Sequence, residues 1–186
     1  MDLDKAIQNR RCVRKFNPKK KPDWRTIIEC IDSARYAPMA GGNYTLKFIL
    51  VSDEEKINRI AKACQQDFVA QAKFVVVVCS NPARTINLYG KKGGCYAKYQ
   101  AGAAVENFFL KIIESGLSTC WVGHFVEGQI KEILKIPEDT DVDAVFPIGY
   151  ELEKPMTRKA KIDLDRILYF NRYGNVQMKK EEGGVE

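Results

Sequence analysis

Lys98-Tyr99-Gln100-Ala101-Gly102-Ala103-Ala104-Val105-Glu106-Asn107-Phe108-Phe109-Leu110-Lys111-Ile112-Ile113-Glu114-Ser115 is the stretch on which the fold turns. Read as a helix, it gathers Gln100, Asn107, Lys111 and Glu114 on one narrow polar stripe, and apolar residues fill the rest. A helix apolar over so wide an arc must be covered on nearly all sides. A chain of 186 residues does this most easily when a second subunit supplies part of the cover. Gly116 ends the helix, and the pattern predicts a strand at Thr119–Val122 directly after it.

Working outward, Asp23 caps a predicted helix with apolar residues at Trp24, Ile27, Ile28, Ile31 and Ala34, stopped by Pro38. The turn Met39-Ala40-Gly41-Gly42-Asn43 leads to a strand at Lys47–Val51. Ser52 or Asp53 then caps a helix carrying Ile57, Ile60, Ala61 and Cys64 on one face. Phe74–Cys79 is a continuous valine-rich run, the mark of a strand covered on both faces. Pro82, Gly90, Gly93 and Gly94 break up residues 80–96, which read as a long loop, either plainly solvated or a mobile lid. A helix near Gly128–Lys135 and a strand within Val142–Ile148 complete the core. The elements show no strict βαβ rhythm, so the fold class is α+β with a mixed sheet. No G-x-G-x-x-G follows a strand and no phosphate loop of the G-x-x-x-x-G-K type is present, which argues against a Rossmann-bound nicotinamide.

Composition sets the wider limits. With 45% hydrophobic and 29% charged residues this is an ordinary globular chain, expected to form one domain over residues 1–175 with a flexible tail at 176–186. Six cysteines are scattered without a Cys-x-x-Cys pair, which suits buried free thiols in a reducing cytoplasm. The single histidine, His124, disfavours a histidine-built metal site, and no metal is expected. The net charge of +6 is modest and clustered, which favours a small anionic ligand over nucleic acid. No apolar run approaches the ~18 residues of a membrane span, and the acidic start Met1-Asp2-Leu3-Asp4 is unlike a signal peptide.

The cations at Arg10-Arg11-Cys12-Val13-Arg14-Lys15-Phe16 form the densest cluster. Arginine is the side chain best shaped to clamp a phosphate by paired hydrogen bonds. The bland alternative is a solvated charge run. Four segments in order shift the balance: this cluster; Ala34-Arg35-Tyr36-Ala37-Pro38 with its Gly-Asn turn; Gln100–Asn107 running to Leu117-Ser118-Thr119-Cys120-Trp121-Val122-Gly123; and Ile136-Pro137 followed by Pro147-Ile148-Gly149-Tyr150. Together they resemble the nitroreductase family of flavin enzymes over roughly residues 3–170.

The resemblance implies a mainly antiparallel central sheet flanked by helices, in an intertwined homodimer with FMN at the subunit interface. Arg10, Cys12 and Arg14, with Arg11 in the same cluster, would meet the FMN phosphate, ribityl chain and ring edge. Lys159 and Lys161 match late basic residues that return to the phosphate. Pro38, Met39 and Ala40 match a turn reaching over the flavin from the other subunit. Gly123 and His124 match a stretch whose backbone N–H faces the flavin N5, and Gln65 falls near an amide on the pyrimidine edge. The implied activity is FMN-dependent oxidoreduction, passing electrons from NAD(P)H through flavin N5 to an electron-poor acceptor such as a nitroaromatic, quinone or flavin. No side chain need act as a catalytic acid or base. A flavin-binding storage or delivery module with little turnover is the alternative. Three residues depart from the family pattern: Cys12 replaces a usual serine, Tyr44-Thr45-Leu46 replaces Gln-Pro-Trp, and Phe68 stands where a basic residue is common.

Overall fold

A computed structural model describes residues 2–153 and 162–178. The chain divides into two units, Met1–Lys154 and Pro155–Glu186. In the first, helices α1 (Leu3–Asn9) and α2 (Trp24–Ala34) are followed by β1 (Leu46–Val51), α3 (Glu54–Cys64) and β2 (Phe74–Ser80). Then come α4 (Ala83–Tyr89), α5 (Lys91–Glu114), β3 (Ser118–Thr119), α6 (Glu127–Leu134) and β4 (Asp141–Gly149). In the second unit a short 3-10 turn at Leu164–Arg166 precedes Tyr169 and Tyr173, whose rings meet at 4.8 Å.

The class is α+β, as the sequence predicts. The four strands stand in the order β1-β2-β4-β3, and every pairing among the described residues is antiparallel. All seven residues of β2 are buried, and their alternation builds the three layers. Phe74, Val76 and Val78 join Leu46, Phe146, Ile148 and the buried faces of α2 and α5. Val75, Val77 and Cys79 face the opposite way, toward Ile57, Ile60 and Cys64 of α3 and Ile130 and Ile133 of α6. One valine run therefore anchors both cores.

Helix starts follow their caps. The Asp23 carboxylate accepts from Arg25 N–H at 2.9 Å, and Asp53, of the two candidates, accepts from Lys56 N–H at 3.0 Å. On α2 the stripe is only partly turned inward. Ile27 and Ala34 are buried together with Cys30, whereas Trp24 and Ile28 are about half exposed.

Two readings need correction. Residues 80–96 are not a loop: α4 and the first turns of α5 occupy most of them. One of the glycines there, Gly93, serves helix packing. Gly90, at φ +58, turns the chain between the two helices, and a Cβ on Gly93 would stand 2.3 Å from the Thr85 carbonyl oxygen. Close backbone approach, which sequence periodicity does not register, is the reason Gly93 looked like punctuation. Gln100, placed on the polar stripe, is buried instead. Its Oε1 accepts from Thr45 N–H (2.8 Å) and Thr45 Oγ1 (2.7 Å), and its Nε2 donates to Asn43 O at 3.3 Å. A buried amide so fully paired is stable where an unpaired one would not be. The outward face of α5 is formed by Tyr99, Gly102, Ala103, Glu106 and Leu110, in part small residues.

No helix among the described residues is long and apolar enough to cross a membrane.

Substitution at the α4–α5 crossing tests this packing. Gly93→Ala must push α4 away and should destabilise by about 1–3 kcal/mol, the usual range for overpacking. Gly94→Ala, with open space around its Cβ, should stabilise by roughly 0.5–1 kcal/mol through helix propensity. Urea unfolding of both variants measures the contrast, and equal midpoints would contradict the crossing.

Candidate functional site

After α1 ends at Asn9, residues 10–17 leave the helix and run as an extended strap against the sheet. Val13 N–H donates to Thr119 O of β3 at 2.9 Å, Leu152 N–H to Lys15 O at 3.0 Å, and Asn17 N–H to Tyr150 O at 2.8 Å. Phe16 and Glu151 form an isolated antiparallel bridge. The Phe16 side chain is buried with Val13 and Ala72, Phe68 packing alongside. It lies against Gly149, where a Cβ would come within 2.9 Å of the ring.

This anchoring fixes where each cation goes. Arg10 Nε lies 3.4 Å from the Glu106 carboxylate on α5, and its guanidinium sits 5.2 Å from the Phe109 ring centroid. Arg11 is paired to Glu151, leaving a buried Nε with no partner among the described residues. Arg14 is exposed and has no carboxylate partner among the described residues; its guanidinium lies 6.0 Å from the Phe68 ring centroid. Phe68, one of the three departures, thus backs a site cation rather than supplying a charge of its own.

Between the arginines sits Cys12, half-buried beside Cys120. A hydrogen bond from the Cys120 thiol holds the Cys12 thiol down from 9.0 to about 6. The Trp121 backbone N–H and the charges of Arg14 and Arg10 act in the same direction, against the burial. Cys120 is pushed up in return by the Cys12 sulfur and by its own burial. The sequence signal for Cys120 was a thiol in an apolar run, which describes its packing and hides its partner.

The remaining candidates divide into those that share this corner and those that do not. Gly123 and His124 follow directly on the Trp121 and Val122 positions and are exposed, and their N–H groups meet no acceptor among the described residues. Gln65 ends α3 in a left-handed conformation, φ 54. Its neighbourhood is tied to the same loop by Val126 N–H donating to Ala63 O at 2.8 Å. Pro38, Met39 and Ala40 lie elsewhere, on a turn held through Gln100 Nε2 to Pro38 O at 3.5 Å, beside Tyr96 and Tyr99. No hydrogen bond or ion pair among the described residues joins that turn to the strap. Lys159 and Lys161 lie outside the described residues. The Tyr44-Thr45-Leu46 departure has a structural side: Thr45 and Leu46 are buried, Thr45 bonding Gln100, while Tyr44 lines a separate cavity of ≈ 620 Å³ with Lys47, Arg84 and Lys135.

Known proteins resemble this chain in sequence and in fold. The sequence model of the Nitroreductase family matches residues 7–67 and 62–150. A protein of Methanothermobacter thermautotrophicus that bears the name NADH dehydrogenase/NAD(P)H nitroreductase is 30% identical over 173 residues, 90% of this chain and 86% of that one. A Methanocaldococcus jannaschii protein named as a nitroreductase is 34% identical over 106 residues, 56% of this chain; the match spans about half of that relative, 52%. Among solved structures, an FMN-dependent nitroreductase of Clostridium difficile superposes with a TM-score of 0.74 at 23% identity, covering 90% of this chain and 98% of the other. The chain belongs to the nitroreductase family.

The low Cys12 value gives a pH test. Because the folded thiol is depressed below 9.0, folding becomes more favourable as pH rises from about 6 to 9.0, and that contribution is lost as pH falls back through about 6. Cys120, shifted the other way, opposes it only above 9.0. Alkylation of Cys12 by iodoacetamide, read by peptide mass, should rise with a midpoint near pH 6 in the native protein. A midpoint near 9.0 would show that the thiol is not held by its neighbours.

Proposed function

We propose that this chain is an FMN-dependent NAD(P)H oxidoreductase working as a homodimer, with FMN seated along the strap and the residues that follow β3. The observation that carries the reading is the convergence, in one protomer, of Arg10, Cys12 and Arg14 with the unpartnered N–H groups of Gly123 and His124. These residues fit the group. A phosphate dianion asks for cations not already neutralised; exposed Arg14 meets that demand, whereas Arg10 is shared with the Glu106 carboxylate 3.4 Å away. A flavin ring asks for backbone donors without internal partners, which Gly123 and His124 present. Arg11, engaged with Glu151, contributes charge and holds the strap. The FMN-dependent neighbour and the NAD(P)H nitroreductase name of the archaeal relative support the same cofactors here.

Bound FMN supplies two-electron exchange between a nicotinamide and an electron-poor acceptor. The chain's own part is to bind and orient. Arg14 and Arg10 fix the phosphate end, and the Gly123 and His124 N–H groups hold the ring edge. Gln65 is assigned to the pyrimidine side. Pro38, Met39 and Ala40, joined to the strap by no hydrogen bond or ion pair among the described residues, are assigned to the partner's site. The dimer is supported by the outward face of α5 and by exposed Leu3, Ile7, Trp24 and Ile28 on the helices packed against it. A face of small residues flanked by exposed apolar ones is suited to close helix packing between copies. Cytoplasmic function is part of the same proposal.

Enzyme and storage module separate by turnover. Purified protein should carry flavin absorbance in the visible range, and adding a quinone should sustain NADH or NADPH consumption over many turnovers per flavin. Sedimentation should give a dimer at micromolar concentration. Flavin bound without sustained consumption would favour the storage module, and a colourless monomer that takes up no FMN would overturn the proposal.

A further inference from the structure

Trp121 stands between Cys120 and Val122, which are 1% and 2% exposed, yet Trp121 itself is 40% exposed. Val122 bridges to Val145 of β4 and packs into the core beneath α3 and α6. The indole of Trp121 meets Phe146 instead, at 5.7 Å between ring centroids, and Phe109 of α5 meets the same Phe146 at 6.2 Å. Arg10 lies over the Phe109 ring. One row of aromatic rings therefore runs from a strap cation to Trp121. The indole also follows the backbone of Gly123, where a Cβ would stand 3.8 Å from Trp121 Nε1 and 4.0 Å from its Cδ1. Its Nε1–H meets no acceptor among the described residues. An isolated exposed apolar side chain is ordinary. Trp24, the other tryptophan, is such a case, with the Arg25 guanidinium 4.9 Å from its ring centroid and a place on the face assigned above to the dimer. Trp121 is not part of that face, and it lies beside the two N–H groups assigned to the flavin ring.

We propose that Trp121 holds the flavin ring, its indole forming an aromatic wall against the isoalloxazine while the Gly123 and His124 N–H groups reach the ring edge. The inference rests on the flavin reading above. A planar heterocycle gains most from a second ring that is already in place when it arrives, and Phe146 packs against Trp121 with no ligand present. Stacking of this kind depends on the π-face and not on a phosphate. Recognition is thereby divided: Arg14 senses the phosphate and Trp121 the ring.

Equilibrium dialysis of the full chain with FMN and with riboflavin, combined with the emission of the bound flavin, tests the assignment. An indole against a flavin quenches its fluorescence by giving an electron to the excited ring, which a phenyl group does not do. Trp121→Leu should weaken FMN and riboflavin by the same factor, roughly 5- to 150-fold, whereas Arg14→Ala acts on FMN alone. Trp121→Phe keeps a ring beside Phe146, so it should retain most of the affinity and brighten the bound flavin several-fold. Should Trp121→Leu fold poorly, the emission of Trp121→Phe still decides the matter. A wild type that binds neither flavin would overturn the flavin reading and this inference with it. FMN bound as tightly and as dimly in both Trp121 variants as in wild type would leave the flavin reading standing and overturn the role of Trp121. A weakened dimer with unchanged flavin affinity would also overturn it, and would make Trp121 a subunit contact.

Discussion

The contact of Phe16 with Gly149 is the constraint on which the functional corner depends. The phenyl ring lies where any larger residue at 149 would put its Cβ, so the end of β4 must be bare for the strap to close over it. Burying a phenylalanine side chain contributes roughly 1.5–3 kcal/mol, enough to hold an otherwise charged and extended segment in place. With Phe16 seated, the bonds from Val13 to Thr119 and from Asn17 to Tyr150 set the strap's path, and the arginines fall where they do. The charges themselves do not organise it. Their ion pairs are partly exposed, and such pairs contribute little on their own.

From that anchor the cations sort by what opposes them. Arg11 meets Glu151 and Arg10 meets Glu106, so each already has a counter-charge. Arg14 has an aromatic ring beneath it instead. A ring orients a guanidinium without neutralising it, which leaves the positive field directed outward. Cys12 takes its ionisation from the same neighbourhood. Where the family commonly places a serine, this chain holds a thiol whose acidity is set by Cys120, Trp121 and the two arginines. The strap thus sets an exposed cation beside a thiol held below its usual range, and one arrangement of backbone bonds produces both.

Most of the fold was legible in the sequence because it is written in periodicity. The valine run of β2, the capped helices α2 and α3, and the breadth of the apolar arc on α5 all follow from which side of an element is covered. What the sequence did not show depends on approach between backbones. Gly93 looked like a loop residue because its reason is the carbonyl of Thr85, eight residues earlier and in another helix. Gln100 looked solvent-facing because its partners, Thr45 and Asn43, lie far along the chain. The candidate site was readable as a set of segments through their ordered resemblance to a family, and the structure ties two of those segments together through Val13 N–H and Thr119 O. That Arg11 is occupied by Glu151 required distances.

The central claim is that the strap presents a phosphate-binding cation beside the flavin-binding backbone, and paired titrations of the apo-protein with FMN and riboflavin test it most directly. Riboflavin lacks only the phosphate. FMN should bind far more tightly than riboflavin, and Arg14→Ala should weaken FMN by roughly 10- to 150-fold, the worth of one charge-assisted hydrogen bond. Riboflavin affinity should barely change in the same variant. Equal affinities for the two flavins in the wild type, or an Arg14→Ala variant that binds FMN as well as the wild type does, would contradict the account.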